Sequence, residues 1–500
     1  MLDGLSGSLI TTTRPVLLEQ AAREHLRVHS PVDGALVGLL PVADEPEITH
    51  AVRTARSALA AWSRTSAADR GRRLRTAAAA VRASVDELAA LHNAETGRPV
   101  SEARAGALAG ADVLEQYAEL GPVHRGRSLL GRDAAVDLTV PQPRGVVVVL
   151  TSWHDPVGVS CGLLGAALVT GNTVVFKPSE RAPHVGRFLT ETLSSVLPAG
   201  VLMMISGDDR TGARLAADPG VDLIAHLGCS EAGRSIARSA ARTGAAVLLE
   251  NGGNDALIVD AGVDVAWAAE QAAVGAFSET GQRRGSIERI YVHRALADQF
   301  QHRLAAQAAR RVARPALPGD VELGPLVDRR RRDQVHAQVS EAIGRGAWAL
   351  AGGRVPRGPG AFYPATVLTG CVPDMRVMRE ETFGPVAAIR IVEDFDQALA
   401  EAAEDRYGRA ATVLTASMRR AQRAWQELPV GTVRVNSLAG EVGRGAVRHR
   451  GGCDTGFHFG PELLDEMTVV KVVHLGLAVP GGRRNRGPDQ VYGGEEEVDA

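Results

Sequence analysis

Short β-branched strands alternate with helical stretches from about residue 145 to residue 260, and this alternation limits the fold more than any other feature. The run GVVVVL at residues 145–150 follows Pro143 and predicts a buried strand. Four more strands are predicted in the same region, at residues 172–176, 199–205, 221–225 and 245–249. Strands separated by helices indicate a parallel, doubly wound sheet that is covered on both faces.

A second series of strands follows the first, so the chain is predicted to contain two α/β lobes without an obvious linker. The strands of this series begin at Leu257 and continue at residues 289–292, 348–350, 387–391 and 432–435. Ahead of both lobes, residues 47–93 are rich in Ala, with apolar positions every three or four residues, which predicts helix. Four arginines between Asp328 and Asp333 predict a solvated helix face.

Composition excludes several classes of partner. The 56 basic and 58 acidic residues nearly balance, which leaves no surplus of positive charge for nucleic acid or an anionic membrane. The least polar stretch, residues 156–171, is shorter than the roughly 20 residues of a bilayer span. The N-terminus does not resemble a secretory signal, and the four cysteines lack the spacing of a zinc site or disulfide framework. We therefore expect a reduced, cytoplasmic protein with no metal site.

Three predicted strand ends carry side chains suited to ligand binding. Ligands of open α/β sheets lie beyond the carboxyl ends of strands, where helix N-termini offer free N–H groups. One strand is followed by Lys177 and Glu180, and another by a glycine-bearing turn at Gly228 that opens a helix. A third strand is followed by Glu250, which stands close to two glycines.

Together and in this order, these motifs resemble those of the aldehyde dehydrogenase superfamily over nearly the whole chain, from about residue 29 to residue 473. The similar segments are HSPVDG at 29–34, ETG at 95–97, PRG at 143–145, GNTVVFKPSE at 171–180, GQ at 281–282, EETFGPV at 380–386, GTVRVN at 431–436, the GG and TG pairs between 451 and 456, Thr468 and Lys471. So many motifs in register make the resemblance specific.

The resemblance implies an α/β fold with a Rossmann-type cofactor domain, an α/β catalytic-type domain and a β oligomerisation arm. We expect the NAD(P)-binding domain at residues 1–125 and 144–250, the catalytic-type domain at 251–440 and the arm at 126–143 and 465–478. The arm implies a homodimer or homotetramer. Residues 480–500 are rich in Gly, Arg and Glu, which predicts a disordered tail.

The resemblance also implies a nicotinamide cofactor at the edge of the first sheet. The residues assigned to that site are Trp153, Lys177, Glu180, Gly228, Cys229, Glu381 and Phe383. Lys177 and Glu180 would hold the adenine-side ribose, and the Glu180 carboxylate disfavours a 2′-phosphate, so NAD is expected ahead of NADP. Lys177 and Lys471 are the chain's only lysines and both match family lysines, which supports a retained cofactor cleft.

The reaction centre departs from the family pattern. The family's reaction needs a nucleophilic cysteine two residues after the GQ pair, and this chain has Arg284 there. A guanidinium stays protonated and has no lone pair with which to form an adduct. His154 stands in place of the asparagine that donates to the developing oxyanion. Glu250, the family's general base, is retained.

Three functions stay open on these residues. In a rebuilt oxidoreductase, Arg283 or Arg284 would bind an anionic small-molecule substrate while Glu250 and His154 act as acid and base. In a non-catalytic cofactor- or ligand-binding protein, Arg284 and Glu250 would form an ion pair. A non-redox lyase or hydrolase would use Glu250 and His154 in the same tunnel. Cys161 is a further candidate, as a displaced thiol, although its apolar surroundings favour an inert core residue.

Overall fold

The computed structural model describes residues 23–129, 135–313, 323–438 and 459–476. The tail predicted at 480–500 and the glycine pairs at 451–456 lie outside these residues. The strands β1 to β17 are His25–His29, Leu36–Pro41, Ser128–Leu129, Ala135–Pro143, Val146–Leu150, Thr173–Lys177, Leu202–Met204, Leu223–Leu227, Ala246–Glu250, Asp255–Val259, Ile287–His293, Trp348–Ala351, Thr366–Thr369, Val386–Val392, Ala410–Leu414, Thr432–Val435 and Thr468–Gly476.

Helices connect most of these strands. The helices α1 to α15 are Glu45–Arg64, Ala67–Ala83, Val85–Thr96, Val100–Leu120, Pro156–Val169, Pro183–Ser194, Asp209–Ala216, Ser230–Thr243, Val265–Phe277, Ala297–Arg310, Arg329–Gly344, Arg376–Arg379, Phe395–Ala403, Met418–Glu427 and Glu462–Glu466. Short 3-10 turns lie at Gly121–Val123 and Ser278–Gly281.

The first large sheet contains the strands predicted between residues 145 and 260. Its order is β7-β6-β5-β8-β9, and all four neighbouring pairs are parallel. Every residue of β5, β6 and β8 is buried, because helices cover both faces of the sheet. The predicted α/β fold with a Rossmann-type arrangement is therefore confirmed.

The second large sheet has the order β12-β13-β14-β11-β10-β15-β16. Its strands run parallel except for β12, which pairs antiparallel with β13 at the edge. The sequence reading missed β13 and β15. Both are largely or fully buried, but β13 has only four residues and is interrupted by Leu368, and β15 begins with two alanines, so neither shows a long β-branched run.

The helical region predicted at 47–93 forms α1, α2 and α3. Asp44 begins α1 with a reciprocal capping box, in which its side chain and that of Glu47 each accept a backbone N–H. Ser66 then caps α2, which divides the Ala-rich stretch. Every residue of α5 is buried, which explains its uniformly apolar sequence. Within the described ranges, no helix is long and apolar enough to cross a membrane.

The chain divides into two compact units, and the two large sheets both belong to the larger one, which comprises residues 1–124 and 143–469. The separation of that unit into a cofactor domain and a catalytic-type domain stays a prediction. In the smaller unit, residues 125–142 and 470–500, the described part forms a sheet of order β17-β4-β3, the last two strands being antiparallel. This sheet contains the segments predicted as the β arm.

Candidate functional site

Most of the predicted site residues meet at one cleft of about 630 Å³. The cleft lies at the carboxyl ends of β5, β6 and β8, where Leu150, Lys177 and Leu227 line it. The predicted residues that line it are Trp153, His154, Lys177, Glu180, Gly228, Cys229, Arg284, Glu381 and Phe383. Glu250 is fully buried and does not line the cleft, but its carboxylate contacts Arg284, which does.

Lys177 ends β6 inside the cleft wall. Its ammonium donates to the carbonyls of Pro178 and Gly207, each at 2.9 Å. Burial lowers the pKa of Lys177, and the nearby carboxylate of Glu180 opposes that change. An ammonium has three donors, so two carbonyl contacts leave one N–H for a ligand hydroxyl. The Glu180 side chain is 39 % exposed, which leaves its carboxylate accessible from solvent.

The N-terminus of α8 forms another part of the cleft wall. The Gly228 N–H donates to the carbonyl of Glu250 at 3.0 Å, which fixes the turn before the helix. Cys229 begins α8 without a side-chain cap, and Ser230 Oγ is buried with no hydrogen bond to the described residues. Uncapped N–H groups at a helix start that lines the cleft fit an anionic group such as a pyrophosphate.

His226 is a cleft residue that the sequence reading did not assign to the site. Its ring lies against Gly228, because a Cβ built on that glycine would meet His226 Cε1 at 2.6 Å. Burial lowers the pKa of His226 to about 4, so the imidazole is neutral at neutral pH. The sequence places this histidine at a strand end beside a glycine turn, and that position could have indicated that His226 lines the cleft.

Glu381 lies on the side of the cleft formed by the second sheet. Its carboxylate accepts the Gly253 N–H at 3.0 Å, which ties Glu381 to the turn after β9. A Cβ at Gly252 would lie 2.1 Å from Glu381 Oε2, so a larger residue there would displace the Glu381 carboxylate. Burial raises the pKa of Glu381, with Arg331 and Arg409 opposing the rise.

Phe383 has a left-handed backbone, with φ of 48°, that turns its ring towards Trp153. The two rings meet edge to face with centroids 5.7 Å apart. The Thr382 and Phe383 N–H groups donate to the Glu288 carboxylate at 2.6 and 2.9 Å, which holds this strained turn. Burial raises the pKa of Glu288, and the nearby Glu381 adds to the rise.

Arg284 and Glu250 form an ion pair at the cleft wall, in which the guanidinium donates to Glu250 Oε2. The Arg284 side chain is 11 % exposed and the Glu250 side chain is fully buried. The contact is one of the arrangements expected from the sequence. It engages the carboxylate that the family resemblance assigns as general base.

His154 is buried beside this ion pair. Its Nδ1 lies 2.6 Å from Ser152 Oγ, and its backbone carbonyl accepts a hydrogen bond from Arg98. Burial, together with the positive charges of Arg284 and Arg98, holds the pKa of His154 well below its usual range. The imidazole is therefore neutral and offers one ring nitrogen as donor and the other as acceptor.

The comparison with known proteins agrees with this geometry. The model of the aldehyde dehydrogenase family matches residues 18–473. This chain belongs to the aldehyde dehydrogenase family. It is similar to the NAD-dependent aldehyde dehydrogenase from Sinorhizobium meliloti, at 30% identity over 92% of this chain and 93% of that one, with a TM-score of 0.88.

Two further solved structures show the same fold. The aldehyde dehydrogenase from Brucella melitensis biovar abortus 2308 is 27% identical over 91% of this chain and 95% of that one, with a TM-score of 0.88. The betaine aldehyde dehydrogenase from Staphylococcus aureus, solved in complex with NAD+, is 26% identical over 90% and 91% of the two chains, with a TM-score of 0.87. The aldehyde dehydrogenase fold therefore spans nearly the whole chain.

Cys161 does not meet the requirements of a displaced nucleophile in this aldehyde dehydrogenase fold. It lies in α5 within the hydrophobic core, fully buried, and does not line the cleft. Burial raises the pKa of its thiol, with Asp155 adding to the rise. A protonated thiol without access to the cleft cannot attack a substrate, so the inert reading is the one the geometry favours.

A second charged group lies beside the reaction centre of this aldehyde dehydrogenase fold and was not recognised in the sequence. A Cβ built on Gly285 would lie 3.4 Å from Asp255 Oδ2, 3.6 Å from Arg409 Nη2 and 3.7 Å from Arg434 Nη2. Burial raises the pKa of Asp255, while Arg409 and Arg434 oppose that rise. The three side chains come from different strands or strand ends, so no local sequence pattern links them.

The arginine run before Asp333 differs from its prediction. Arg329 and Arg330 are exposed, as expected of a solvated face. The prediction was wrong for Arg331 and Arg332, which are half-buried, and Arg331 also lines the cleft. Asp328 caps α11 at this point, and the turn that follows directs Arg331 inward. Charge density alone does not show which residue of a helical turn faces a cleft.

Proposed function

We propose that this protein binds NAD in the cleft and does not oxidise aldehydes through a covalent thioester. The ion pair between Arg284 and Glu250 carries this proposal. It fills the position of the family nucleophile with a group that has no lone pair, and it engages the carboxylate that would act as base. The protein is then a cofactor-binding member of its family that lacks thiol chemistry.

The residues of the cleft fit the cofactor. Lys177 and Glu180 would hold the adenine-side ribose, the N-terminus of α8 would face the pyrophosphate, and Glu381 would take the nicotinamide ribose. Bound NAD would supply a hydride acceptor. The accessible Glu180 carboxylate supports NAD over NADP, because it repels a 2′-phosphate. The NAD+ complex of the Staphylococcus aureus relative supports the same choice.

We also propose a homodimer or homotetramer in the cytoplasm, with the β arm as the contact. Strand β17 exposes a row of apolar side chains, and single molecules rarely leave such a row uncovered. The exposed members are Val469, Val470, Val472 and Leu475.

Titration calorimetry and an aldehyde assay test the proposed function. Wild type is expected to bind NAD with a Kd well below about 1 mM, the value that corresponds to ~4 kcal/mol. It is expected to form no NADH from a panel of aldehydes, while Lys177→Met weakens NAD binding. Failure to bind NAD, or steady aldehyde oxidation by wild type, overturns the proposal. Oxidation that appears only in Arg284→Cys supports it.

A second candidate function is chemistry on an anionic small molecule without an adduct. The observation that favours it is the cluster of cations around Gly285, where Arg284, Arg409 and Arg434 lie close to the carboxylates of Glu250 and Asp255. Guanidiniums bind carboxylate or phosphate groups in a bidentate manner. In this reaction the neutral imidazole of His154 would accept the proton of the substrate.

The second candidate is tested by turnover of anionic alcohols and hydrated aldehydes, measured with NAD as NADH formation and without NAD as product formation. Anionic substrates are expected to react and their neutral analogues are not. His154→Ala should lower kcat by on the order of 100-fold, as expected for loss of a general base. Ser152→Ala is the matched control, since it removes the hydroxyl at His154 Nδ1 and keeps the imidazole. Equal rates in wild type and His154→Ala would exclude the role.

A further inference from the structure

The first turn of α11 places cations where a helix least favours them. Residues 329–332 are all arginine, and the N-terminus of a helix carries a positive partial charge. Arg329 is exposed, and Arg332 donates to Asp333 and to the carbonyl of Gly360. Arg330 and Arg331 both line the cleft, where Arg330 is exposed and Arg331 is half-buried.

The Arg331 guanidinium has no close counter-charge within the part of the chain that the structure describes. Its Cζ lies 5.9 Å from the centre of the Phe383 ring, and it makes no ion pair within 4.0 Å or side-chain hydrogen bond with those residues. Burial lowers the pKa of Arg331, with Glu381 as the strongest opposing charge. A half-buried guanidinium that lines the cleft and makes no ion pair has its N–H donors available to an anionic ligand.

The carboxylates near Arg331 are already engaged by other groups. Glu381 accepts the Gly253 N–H at 3.0 Å. Asp328 accepts from Arg181 Nε at 2.7 Å and also caps the helix through the Arg331 backbone N–H. Neither carboxylate contacts the Arg331 guanidinium.

We propose that Arg331 binds the pyrophosphate of the dinucleotide, together with the N-terminus of α8 in the same cleft. This inference rests on the proposed binding of NAD. A planar guanidinium presents two parallel N–H donors to phosphate oxygens, and it is dehydrated more easily than an ammonium. Its charge compensates for Cys229, whose thiol is a weak donor at the start of α8. The two groups together supply a cation and backbone N–H donors to one anion.

The proposal predicts a specific pattern across ligands. Adenosine does not contain a pyrophosphate, so its affinity should not depend on Arg331. ADP-ribose and NAD contain one, so both should bind more weakly when the guanidinium is removed. Their affinity should also fall with salt more steeply in wild type than in the variant, because a charge–charge contact is screened.

Titration calorimetry on the full-length protein tests this pattern with NAD, ADP-ribose, adenosine and inorganic pyrophosphate. Arg331→Gln should raise the Kd of NAD and ADP-ribose by on the order of tenfold or more, the effect of one charged hydrogen-bonding contact, and leave adenosine unchanged. Arg331→Lys should restore part of the affinity. Arg329→Gln is the matched control, because its side chain is exposed in the same turn and does not line the cleft.

A structural role for Arg331 predicts different results. Removing a half-buried cation that only stabilises the fold would lower Tm and weaken adenosine binding as well, whereas the proposal expects an unchanged or higher Tm. Equal affinity of wild type and Arg331→Gln for ADP-ribose, or equal losses for ADP-ribose and adenosine, would overturn it. If wild type binds pyrophosphate through Arg331 but not NAD, the proposed function fails and the anion site at Arg331 stands.

Discussion

Glu250→Gln is expected to lower the free energy of unfolding by about 3 kcal/mol, the typical loss when one member of a buried ion pair is removed. The carboxylate is fully buried and accepts a hydrogen bond from the Arg284 guanidinium, which is 11 % exposed. The amide keeps the shape of the side chain but removes the negative charge that faces the cation. Chemical unfolding followed by circular dichroism and by tryptophan fluorescence measures the loss.

A double-mutant cycle assigns this loss to the pair. Arg284→Met in the Glu250→Gln background removes the buried cation, so the double variant should be more stable than Glu250→Gln alone. The matched control is Glu393→Gln at the ion pair with Arg294, whose side chains are 68 % and 65 % exposed. Solvent screens that pair, so little or no loss is expected there. Additive effects of the Glu250 and Arg284 substitutions would contradict the assignment.

The ion pair illustrates how much of the site could be predicted from the sequence. Arg284 and Glu250 each stand at a position anchored by a motif, GQ on one side and two glycines on the other. The strand pattern brings those motifs to one sheet edge, because the carboxyl ends of parallel strands lie together. The contact between them could therefore be expected before the structure was known. The same reasoning predicted most of the cleft residues.

Arg331 and Asp255 show where sequence reasoning stops. Arg331 is one of four identical residues in a row, and only the direction of the helical turn after Asp328 decides which of them turn away from solvent and which line the cleft. Asp255 lies near Arg409 and Arg434 because three separate strands bring them together, at separations of more than 150 residues. Periodicity describes local faces and does not encode such long-range pairs.

Glu102 is a half-buried acid close to the loop that carries Arg284. It lies on α4, its side chain is 26 % exposed, and its Oε1 accepts the Glu279 N–H at 3.2 Å. Glu279 itself pairs with Arg98 at 2.7 Å and has a left-handed backbone with φ of 56°. Burial, with the nearby Glu279 charge, raises the pKa of Glu102 from 4.5 to about 7. The folded protein therefore holds a proton that the unfolded chain has lost.

This proton makes stability fall as pH rises from about 4.5 to about 7. In that interval the unfolded chain carries an ionised Glu102 and the folded protein a protonated one, so the folded state binds more protons. The stabilisation from this proton is fully present below the pKa that Glu102 has in the unfolded chain, and it is lost as pH rises through the pKa that Glu102 has in the folded protein. The loss is no more than ~1.4 kcal/mol per pH unit, or about 3 kcal/mol in all. Glu102→Gln keeps the neutral form at every pH.

The difference in unfolding free energy between Glu102→Gln and wild type should therefore shift by about 3 kcal/mol in favour of the variant between about pH 5 and about pH 8. Glu119→Gln, on the exposed side of the same helix, is the control and should follow wild type at both values. A constant difference between Glu102→Gln and wild type would show that Glu102 is ionised in the folded protein throughout. Above pH 7 the ionised carboxylate then faces Glu279, so the weakest backbone protection against hydrogen exchange should develop at residues 278–281, directly ahead of Arg284.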